Sequence, residues 1–475
     1  METLQRTANR GSVSTGFDID NSLKLEADNA EYLHFTPSSQ TDYERLAFSI
    51  WVKRTEIRTT QTIAEFGNGT ANTTQLRIGF DDSDRLFVYG NSIIWRQTEQ
   101  IFADTGAWYH LFFLFDTTQG TSNDRIRIWV NGNMIAHTDY SGLNNPGSGT
   151  ALGFNKTLQQ SLGTQDEDGP KNYLCGYIAQ AWASGGTPPV VTDFGEVDSD
   201  TGIWKPIDIS GVSIPDANGF FLDFSNASDL GNDSSSNNND FTLNNVTSAD
   251  QALDVPTNSF CTLNPLMYSS NKPTISDGAM KATGGGGNWN SAWGNLGVKN
   301  GKWYYEQKVT NTTYMGFLGA STTPAEGTNT NSTTALYNTS IIIAPQASAT
   351  HFYYYQNGSQ TSNESTGWAT FGVGDILGVA LDLDSSTKTI AFYKNGTLLS
   401  GSASNPANLP TNMQDEFIFP LVTQYENKLD ELNFGGYTEM SISSGNTDAN
   451  GHGNFEIAPP SGYLAICTKN IAENG

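Results

Sequence analysis

Residues 108–116, WYHLFFLFD, are followed after a polar loop by RIRIWVNGNMIA, which runs through Asn131 and Gly132. The same design recurs with other residues where GDILGVALDLD (374–384) precedes TIAFYKNGTLL, which runs through Asn395 and Gly396. Solid apolar runs suit central strands that are covered on both faces. An Asn-Gly pair between strands is a strong hairpin signal, because a type I′ turn needs positive φ at both central residues. The two stretches therefore predict two β-sandwiches, each with this hairpin near its middle.

Shorter runs alternate along the chain and end at Gly, Asn or Asp, as at 76–80 (LRIGF) and 86–89 (LFVY). Such alternation is typical of strands with one wet face, and helical periodicity is almost absent. A chain of 475 residues is long enough for two cores. The sequence therefore predicts an all-β protein, with two antiparallel β-sandwich (jelly-roll) domains joined by an irregular connector.

We place the predicted boundaries as an N-terminal arm at 1–20, a first sandwich at 21–188, a connector at 189–285 and a second sandwich at 286–475. The arm is polar and carries Arg6 and Arg10 in an acidic chain, so it is a candidate for docking on an acidic partner. The connector contains the turn-forming runs TPPV and GNDSSSNNNDF. Aromatic anchors such as Trp204 and Phe221 predict partial order for it, without a third core.

Composition excludes several classes of partner. A formal charge of −25 opposes binding to nucleic acid or anionic lipid. No stretch approaches the ~20 apolar residues of a membrane span, and the first residues lack a signal-peptide core, so we expect no membrane insertion. The three cysteines, Cys175, Cys261 and Cys467, are widely spaced, which predicts buried reduced thiols and no metal knuckle.

Motifs for catalysis are missing from the sequence. A retaining glycosidase needs two carboxylates about 5 to 5.5 Å apart, and no ExDxE-like strand occurs. There is no GxSxG elbow, no cysteine in a protease context and no phosphate-binding GxxxxGK[ST] loop. We therefore expect a protein that is not an enzyme and has no organic cofactor.

Asp81, Asp82 and Asp84 form an acidic cluster between two alternating strands. Aspartate favours such turns because its carboxylate accepts hydrogen bonds from nearby backbone amides. Calcium is the alternative for the same three residues, since it prefers carboxylate and carbonyl oxygens. Zinc is disfavoured because the histidines are dispersed.

Two stretches combine aromatic and hydrogen-bonding residues, which is the mixture that binds sugars from loops on a rigid scaffold. They are NSIIWRQTEQ (91–100) and HFYYYQNGSQTSNESTGW (351–368). The candidate ligand-binding residues are Trp95, Arg96, Tyr353, Tyr354, Tyr355 and Trp368. The alternative for each aromatic residue is packing in a core or at a sheet edge.

The residues also resemble known families. FSIWVKR, QLRIGF and YLCGYIAQAWASGG resemble strands of the laminin-G-like or concanavalin A-like jelly roll. GKWYYEQKV, GDILGVALDLD and LNFGG resemble a SPRY domain. FGEVDSDTGIWKP and VPTNSFCTLNPL resemble the joining region of marine bacteriophage virion proteins that couple these two domain types.

This resemblance implies a bacteriophage structural protein on the exposed surface of the virion: a tail fibre, spike or appendage that mediates host attachment through lectin-like domains. The implied partners are other virion proteins, for which the arm at 1–20 would be the anchor, and a host surface glycan or protein. A homo-oligomer such as a trimer would add avidity. SPRY domains commonly bind protein segments. A capsid or tail decoration protein is the main alternative, and a polysaccharide-degrading enzyme is the third.

Overall fold

The computed structural model describes residues 16–67, 75–154, 156–166, 169–199, 201–268, 272–285, 289–310, 316–322, 339–344, 350–356, 359–365, 367–425 and 429–475. The chain divides into two compact units, Met1–Thr257 and Asn258–Gly475, called here the N-terminal and C-terminal units. In both units the regular secondary structure is almost all antiparallel strand, which confirms the predicted all-β sandwich class. Among the described residues, no helix is long and apolar enough to cross a membrane.

The N-terminal unit is built from two large sheets and a small hairpin. Its strands are β1 (Ser22–Leu25), β2 (Tyr32–Phe35), β3 (Arg45–Arg54), β4 (Gln61–Phe66), β5 (Leu76–Phe80), β6 (Arg85–Gly90), β7 (Ile93–Ile101), β8 (Tyr109–Asp116), β9 (Ile126–Val130), β10 (Asn133–Met134), β11 (Tyr140–Leu143), β12 (Gln160–Leu162), β13 (Gly176–Ser184), β14 (Gly195–Val197), β15 (Trp204–Pro206), β16 (Phe220–Leu222), β17 (Thr242–Asn244) and β18 (Gln251–Ala252). Sheet 1 has the order β10-β9-β8-β3-β13-β1-β18, with β16 also paired to β13. Sheet 2 has the order β11-β7-β6-β5-β4-β12-β2-β17, and β14 pairs with β15.

The core of this unit lies between sheets 1 and 2. Alternate residues of β8 point into it, namely Leu111, Phe113 and Phe115, and they meet Leu76 and Ile78 of β5. Because side chains alternate between the two faces of a strand, the neighbours of these residues must point outward. In β5 the outward neighbour Arg77 is charged, but in β8 the outward residues Phe112 and Leu114 are apolar.

The outward face of β8 is covered by a third layer. Phe112 and Leu114 are buried against Trp182, Phe194 and Ile209. We call residues 191–214, which contribute this cover, the covering segment. The covering segment explains why WYHLFFLF carries apolar residues on both faces of the strand. The prediction that this run is a central strand covered on both sides is confirmed.

Trp204 fixes the covering segment to sheet 1. Its indole ring stacks on His110 with 5.8 Å between ring centroids, and its Nε1–H donates to His110 Nδ1 at 3.1 Å. A Cβ added at Gly132 would lie 2.3 Å from the ring, and one at Gly195 would lie 2.5 Å from it. The ring therefore depends on two glycines for its space.

The predicted connector at 189–285 differs from the structure, because it is divided between the two units. Within it, β16 joins sheet 1 beside β13, β17 extends sheet 2 beside β2, and β18 pairs with β1. Residues from Asn258 onward belong to the C-terminal unit. These strands have only two or three residues, too short for the alternation on which the sequence prediction depended.

The polar run GNDSSSNNNDF is an ordered loop centred on Asp233. One carboxylate oxygen accepts from the backbone N–H of Phe221 at 2.8 Å and of Ser235 at 3.0 Å, and the other accepts from Asn239 N–H at 2.8 Å. The side-chain amide of Asn237 donates to the carbonyl of Gly219 at 2.9 Å. Side-chain to backbone hydrogen bonds thus supply the order that an apolar core supplies elsewhere.

The predicted Asn-Gly turns are confirmed in both units. Asn131 and Gly132 have φ of 47° and 76°, and Asn395 and Gly396 have φ of 48° and 80°. The Asn131 side chain accepts from His110 N–H at 2.8 Å, while its own N–H donates to the His110 carbonyl at 2.9 Å. Asn395 makes the same two bonds with Ile376, at 2.8 and 2.9 Å. Each turn is therefore anchored on the adjacent strand.

The C-terminal unit contains two further sheets. Its elements are β19 (Leu263–Tyr268), β20 (Thr274–Ser276), β21 (Lys281–Thr283), β22 (Trp289–Gly294), β23 (Lys302–Lys308), β24 (Gly316–Ser321), β25 (Thr339–Ala344), β26 (His351–Gln356), β27 (Ser359–Ser365), β28 (Ile376–Asp382), β29 (Thr389–Lys394), β30 (Thr397–Leu398), β31 (Ala407–Asn408), β32 (Phe419–Tyr425), β33 (Leu429–Asn433), β34 (Leu464–Ala465) and the helix α1 (Thr468–Asn474). Sheet 3 has the order β19-β22-β32-β24-β25-β26-β27. Sheet 4 has the order β20-β21-β33-β23-β28-β29-β30, with β31 beside β29 and β34 beside β23.

Two remaining predictions can be placed. Cys175, Cys261 and Cys467 are buried free thiols, as expected. Most of the predicted N-terminal arm, including Arg6 and Arg10, lies outside the described residues. Ile19, at its end, is buried in the N-terminal unit and its N–H donates to Thr257 Oγ1 at 3.2 Å.

Candidate functional site

Trp95, predicted to stack on a ligand, is a core residue with 1% of its surface exposed. A Cβ at Gly90, on the neighbouring strand β6, would lie 2.4 Å from the Trp95 ring, so the indole fills the space that this glycine leaves. The pairing of β6 with β7 is irregular in two places, and a one-residue irregularity reverses which face a side chain occupies. The ring therefore packs between the sheets and offers no face to a ligand.

Arg96, the second candidate in this stretch, is also buried. Its guanidinium donates to the Trp95 carbonyl and to Asn145 Oδ1, both at 2.8 Å, and to the Asn144 carbonyl, and it lies 5.5 Å from the centroid of the Tyr140 ring. Burial lowers the pKa of this guanidinium. Arg96 holds the loop at 144–145 against β7, and its donors point into the protein.

The acidic cluster of Asp81, Asp82 and Asp84 behaves as a hairpin turn. Asp81 accepts from Arg85 Nε at 3.0 Å and from Gln97 Nε2 at 2.7 Å. Asp84 is buried and accepts from Arg54 Nη1 at 2.9 Å. The part of the chain that the structure describes has no group of three or more His, Cys, Asp or Glu residues that could hold a metal.

The candidates of the second stretch lie in the C-terminal unit. Tyr353, Tyr354 and Tyr355 are in β26, which pairs with β25 and β27, and their side chains lie outside the described part of the structure. Trp368 has 3% of its surface exposed, and its Nε1–H donates to the Ala403 carbonyl at 3.3 Å. Trp368 is thus a packing residue, with its polar atom satisfied within the unit.

The outer face of sheet 2 carries the combination of aromatic and hydrogen-bonding residues that was predicted around Trp95. Arg77 of β5 lies over two rings of β6, with its guanidinium carbon 5.3 Å from the Phe87 centroid and 4.8 Å from the Tyr89 centroid. Arg77 and Tyr89 are partly exposed, and they are direct cross-strand partners. A Cβ at Gly79 would lie 2.1 Å from the Gln61 carbonyl oxygen and 3.0 Å from the Phe87 ring, so a glycine is needed at this position.

Hydrogen-bonding groups border these rings. Gln97 of β7 pairs with Phe87 and is partly exposed. Ser141 Oγ lies 3.2 Å from Gln97 Oε1. We call Arg77, Phe87, Tyr89 and Gln97 the Arg77 face. It combines a cation, an amide and two aromatic rings, of which Tyr89 is partly exposed and Phe87 has 5% of its surface exposed.

A second aromatic cluster lies farther across the same sheet face, beyond β4 and β12. Tyr32 of β2 is 5.7 Å from His34 and 6.2 Å from Tyr173 between ring centroids. Burial, followed by the negative charge of Asp166, raises the pKa of both tyrosine hydroxyls. Asp166 Oδ2 also accepts from Gln159 Nε2 at 2.7 Å. The outer face of sheet 2 therefore carries two separate aromatic clusters, one on each side of β4 and β12.

Glu65 lies between the two clusters and is fully buried. One of its carboxylate oxygens accepts from Gln75 Nε2 at 2.8 Å, and the other accepts from the Asp166 N–H at 2.7 Å. Both oxygens are thus engaged by donors of the protein. The geometry fits a residue that positions the 75 and 166 loops at the edges of the face.

His110 and Ser49 lie 2.9 Å apart between Nε2 and Oγ, which is the spacing of a nucleophile and its base. The indole N–H of Trp204 can only donate, so His110 Nδ1 must accept and Nε2 must carry the proton. Nε2 then donates to Ser49 and cannot take its proton. Burial also lowers the pKa of this histidine to about 3. The pair is part of the packing under the covering segment.

A cavity of about 680 Å³ opens beside the covering segment. Its lining is rich in proline and aliphatic residues, including Pro188, Pro189, Ile207 and Val212, and it carries the charge of Asp193. The Asp193 carboxylate accepts from the Val190 N–H at 2.9 Å and so helps to shape the rim. This lining lacks the aromatic and amide groups that the Arg77 face provides.

Two carboxyl groups are buried in the C-terminal unit. Burial raises the pKa of Glu306 to about 7, although it accepts from the N–H of Ile457 at 2.8 Å. Burial also raises the pKa of Asp430 to about 7. Asp430 lies between the sheets, where it accepts from Gln424 Nε2 of β32 at 2.7 Å and from Gln307 Nε2 of β23. Asp430 is therefore a polar link between sheets 3 and 4.

Comparison with known proteins gives two family matches. Residues 27–182 match the concanavalin A-like lectin/glucanases superfamily in its laminin G form, and residues 302–436 match the SPRY domain. No match was found among curated proteins.

Similar solved structures include the TRIM65 PSpry domain (13% identity, 36% of this chain and 88% of the other, TM-score 0.28). The SPRY domain of human HERC1 is similar at 19% identity over 38% of this chain and 99% of the other, with a TM-score of 0.26. The heptameric SAP-like pentraxin of Limulus polyphemus is similar at 15% identity over 36% of this chain and 80% of the other, with a TM-score of 0.25. On its family matches, the chain combines a concanavalin A-like domain of the laminin G type with a SPRY domain.

Proposed function

We propose that this protein is a non-enzymatic component of a bacteriophage virion, exposed on the particle, that attaches to a host surface glycan through the Arg77 face. The observation that carries the proposal is the placement of Arg77 over Phe87 and Tyr89 on the outer face of sheet 2. The domain combination supports a binding role, and the phage assignment rests on the resemblance of the joining region.

The chemistry of the face suits a pyranose ring with polar substituents. Tyr89 offers part of an aromatic face for the apolar side of a sugar ring, and the partly exposed Gln97 offers an amide for its hydroxyl groups. Arg77 adds a cation, which favours a glycan that carries carboxylate or sulfate groups. In a chain with a net charge of −25, such a local cation would also orient an anionic ligand.

A glycan array probed with the full-length protein tests this proposal. We expect binding to a set of acidic glycans and a loss of about fivefold in affinity for Tyr89→Ala, since one ring contact is worth roughly 1 kcal/mol. Tyr43→Ala is the matched control, because Tyr43 is a partly exposed tyrosine of the same unit that lies beside Lys156. Equal affinities for the two variants and the unchanged protein would exclude the Arg77 face as the binding site.

Placement in the particle is tested separately by electron cryomicroscopy of the intact virion. A few copies at the tail or at a vertex would support attachment. Copies that follow the capsid lattice would support the decoration alternative, in which the SPRY domain binds a segment of a neighbouring virion protein. Release of reducing sugar from a bound glycan would support the enzyme alternative.

A further inference from the structure

Three ionisable side chains of the N-terminal unit meet in a space that is closed to water. Lys24, Glu31 and Asp250 have exposed fractions of 0, 3 and 4%. The Lys24 Nζ lies 3.0 Å from both carboxylate oxygens of Glu31 and 2.8 Å from Oδ1 of Asp250. The side-chain nitrogen of Lys24 is therefore in contact with two carboxyl groups at once.

The three residues come from distant parts of the chain. Lys24 is in β1, Glu31 directly precedes β2, and Asp250 ends a short 3-10 turn at Ser248–Asp250. Leu23 and Leu25 point into the core, so the alternation of β1 turns Lys24 to the outer side of sheet 1, beside Tyr177 of β13. Asp250 reaches Lys24 because β18, which begins at the next residue, pairs with β1.

The Asp250 carboxyl group is held in one orientation. Its Oδ2 accepts from the Thr247 N–H at 2.7 Å and from Thr247 Oγ1 at 3.1 Å, while its Oδ1 faces Lys24. Two donors on one oxygen stabilise negative charge that develops there when the carboxyl carbon is attacked. The other oxygen is the one placed to leave.

Burial leaves this group of charges unbalanced. One ammonium group faces two carboxylates, and an uncompensated charge in a closed space is costly. Desolvation, with a smaller contribution from the Asp250 charge, raises the pKa of Glu31 to about 7. Glu31 can therefore both hold and release a proton near neutral pH, which is the property of an acid-base group.

We propose that Lys24 and Asp250 condense into an intramolecular isopeptide bond, with Glu31 as the group that carries the protons. The bond that forms joins Nζ of Lys24 to Cγ of Asp250, and the bond that breaks joins Cγ to Oδ1. Two protons of the ammonium group move by way of Glu31 to the departing Oδ1, which leaves as water. An ammonium and a carboxylate thus become one amide and one water, so charge and atoms balance without a further reactant.

The fold favours this reaction in two ways. The reacting groups are held in contact, which gives an intramolecular reaction a large effective concentration. The closed site keeps bulk water from the new amide. The bond would join β1 covalently to the residue that directly precedes β18, and this crosslink would stabilise the N-terminal unit against unfolding by force or heat.

Peptide mapping of the full-length protein by mass spectrometry tests the proposal directly. We expect an intact mass lower than that of the sequence by one water, and a branched peptide in which Lys24 is joined to Asp250. Recovery of the Lys24 and Asp250 peptides as separate linear species from the folded protein would overturn the proposal. Loss of water within a linear peptide, as from a succinimide at Asp277 and Gly278, would count against it in the same way.

Variants then test the roles of the three residues. Glu31→Gln should leave the branched peptide absent or formed many times more slowly, and its persistence at the normal rate would overturn the role of Glu31. Lys53→Arg is the matched control, because Lys53 forms another buried pair in this unit, with Nζ 2.6 Å from Asp254 Oδ2. The branched peptide should persist in Lys53→Arg and be lost in Lys24→Arg. A branch that maps to Lys53 and Asp254 would contradict the assignment.

Discussion

The buried carboxyl of Asp430 makes the stability of the C-terminal unit depend on pH. Burial raises its pKa from 3.8 to about 7, so the folded state holds a proton that the unfolded state releases. Stability from this group is fully present below the unfolded pKa and is lost as the pH rises through the folded value. Between about pH 5 and about pH 8, this titration lowers the free energy of unfolding by about 3 kcal/mol, the equivalent of about two pKa units.

Asp430→Asn removes this titration and keeps a neutral side chain of the same shape. An asparagine can accept from one glutamine and donate to the side-chain oxygen of Gln307 or Gln424, each of which is buried without a hydrogen-bond partner. When the pH rises from about 5 to about 8, we expect the free energy of unfolding of the variant to increase by about 3 kcal/mol relative to that of the unchanged protein. The assay is urea unfolding of the full chain, followed by hydrogen exchange in peptides of β23 and β33.

The control for this experiment is Asp415→Asn, which makes the same chemical change at an exposed residue of the same unit. Asp415→Asn should leave unaltered the change in the free energy of unfolding between the two pH values. The comparison of variant with unchanged protein cancels the titration of Glu306, whose pKa is also raised to about 7. A gap between Asp430→Asn and the unchanged protein that is equal at both pH values would refute the reasoning, because the carboxyl would then not titrate in that range.

Two further predictions concern the N-terminal unit. Gly132→Ala should cost about 1 to 3 kcal/mol more than Gly396→Ala, since both positions have positive φ but only the first would place a Cβ 2.3 Å from the Trp204 ring; equal costs in urea unfolding would contradict the proposed packing. Asp254→Ala should cost about 3 to 5 kcal/mol in the same assay, because it leaves the ammonium of Lys53 buried without the carboxylate that lies 2.6 Å away. A loss below about 1 kcal/mol would show that water reaches the pair.

The sequence predicted those parts of the fold that local chemistry determines. Asn131 and Asn395 adopt positive φ because the turn requires it, and the Asn-Gly pair marks both hairpins without information from distant residues. The apolar run at 108–115 also indicated its own environment, because a strand that is apolar on both faces must be covered on both. The run could not indicate which residues of the chain cover its outer face.

The sequence did not predict how the polar loop at 231–241 is ordered, because this order comes from side-chain to backbone bonds and not from apolar periodicity. In composition, GNDSSSNNNDF is indistinguishable from a flexible linker, yet the Asp233 carboxylate organises it through backbone N–H groups. Those bonds depend on geometry that the alternation test does not measure. A predictor that counted Asx turns would have favoured an ordered loop at this point.

The first stretch of candidate binding residues, around Trp95, was predicted at the wrong position for a related reason. The alternation in LRIGF and LFVY identified strands with one wet face, and their outward positions include Arg77 and Tyr89. Reading off those positions would have found the Arg77 face. Trp95 attracted the prediction because its neighbours are polar, but the irregular pairing of β7 turns its ring inward, and such irregularities leave little trace in a sequence.

The layering of the N-terminal unit gives its two sheets different capacities for binding. Sheet 1 carries apolar residues on both faces, and near Phe112 its outer face is occupied by the covering segment. The outer face of sheet 2 carries Arg77 and Tyr89, which are partly exposed and lie on the paired strands β5 and β6. A platform of this kind binds with little loss of conformational entropy, since its side chains are already ordered by their cross-strand neighbours. The same argument explains why a loss of affinity should follow from the change of a single ring at Tyr89, while the fold around it remains intact.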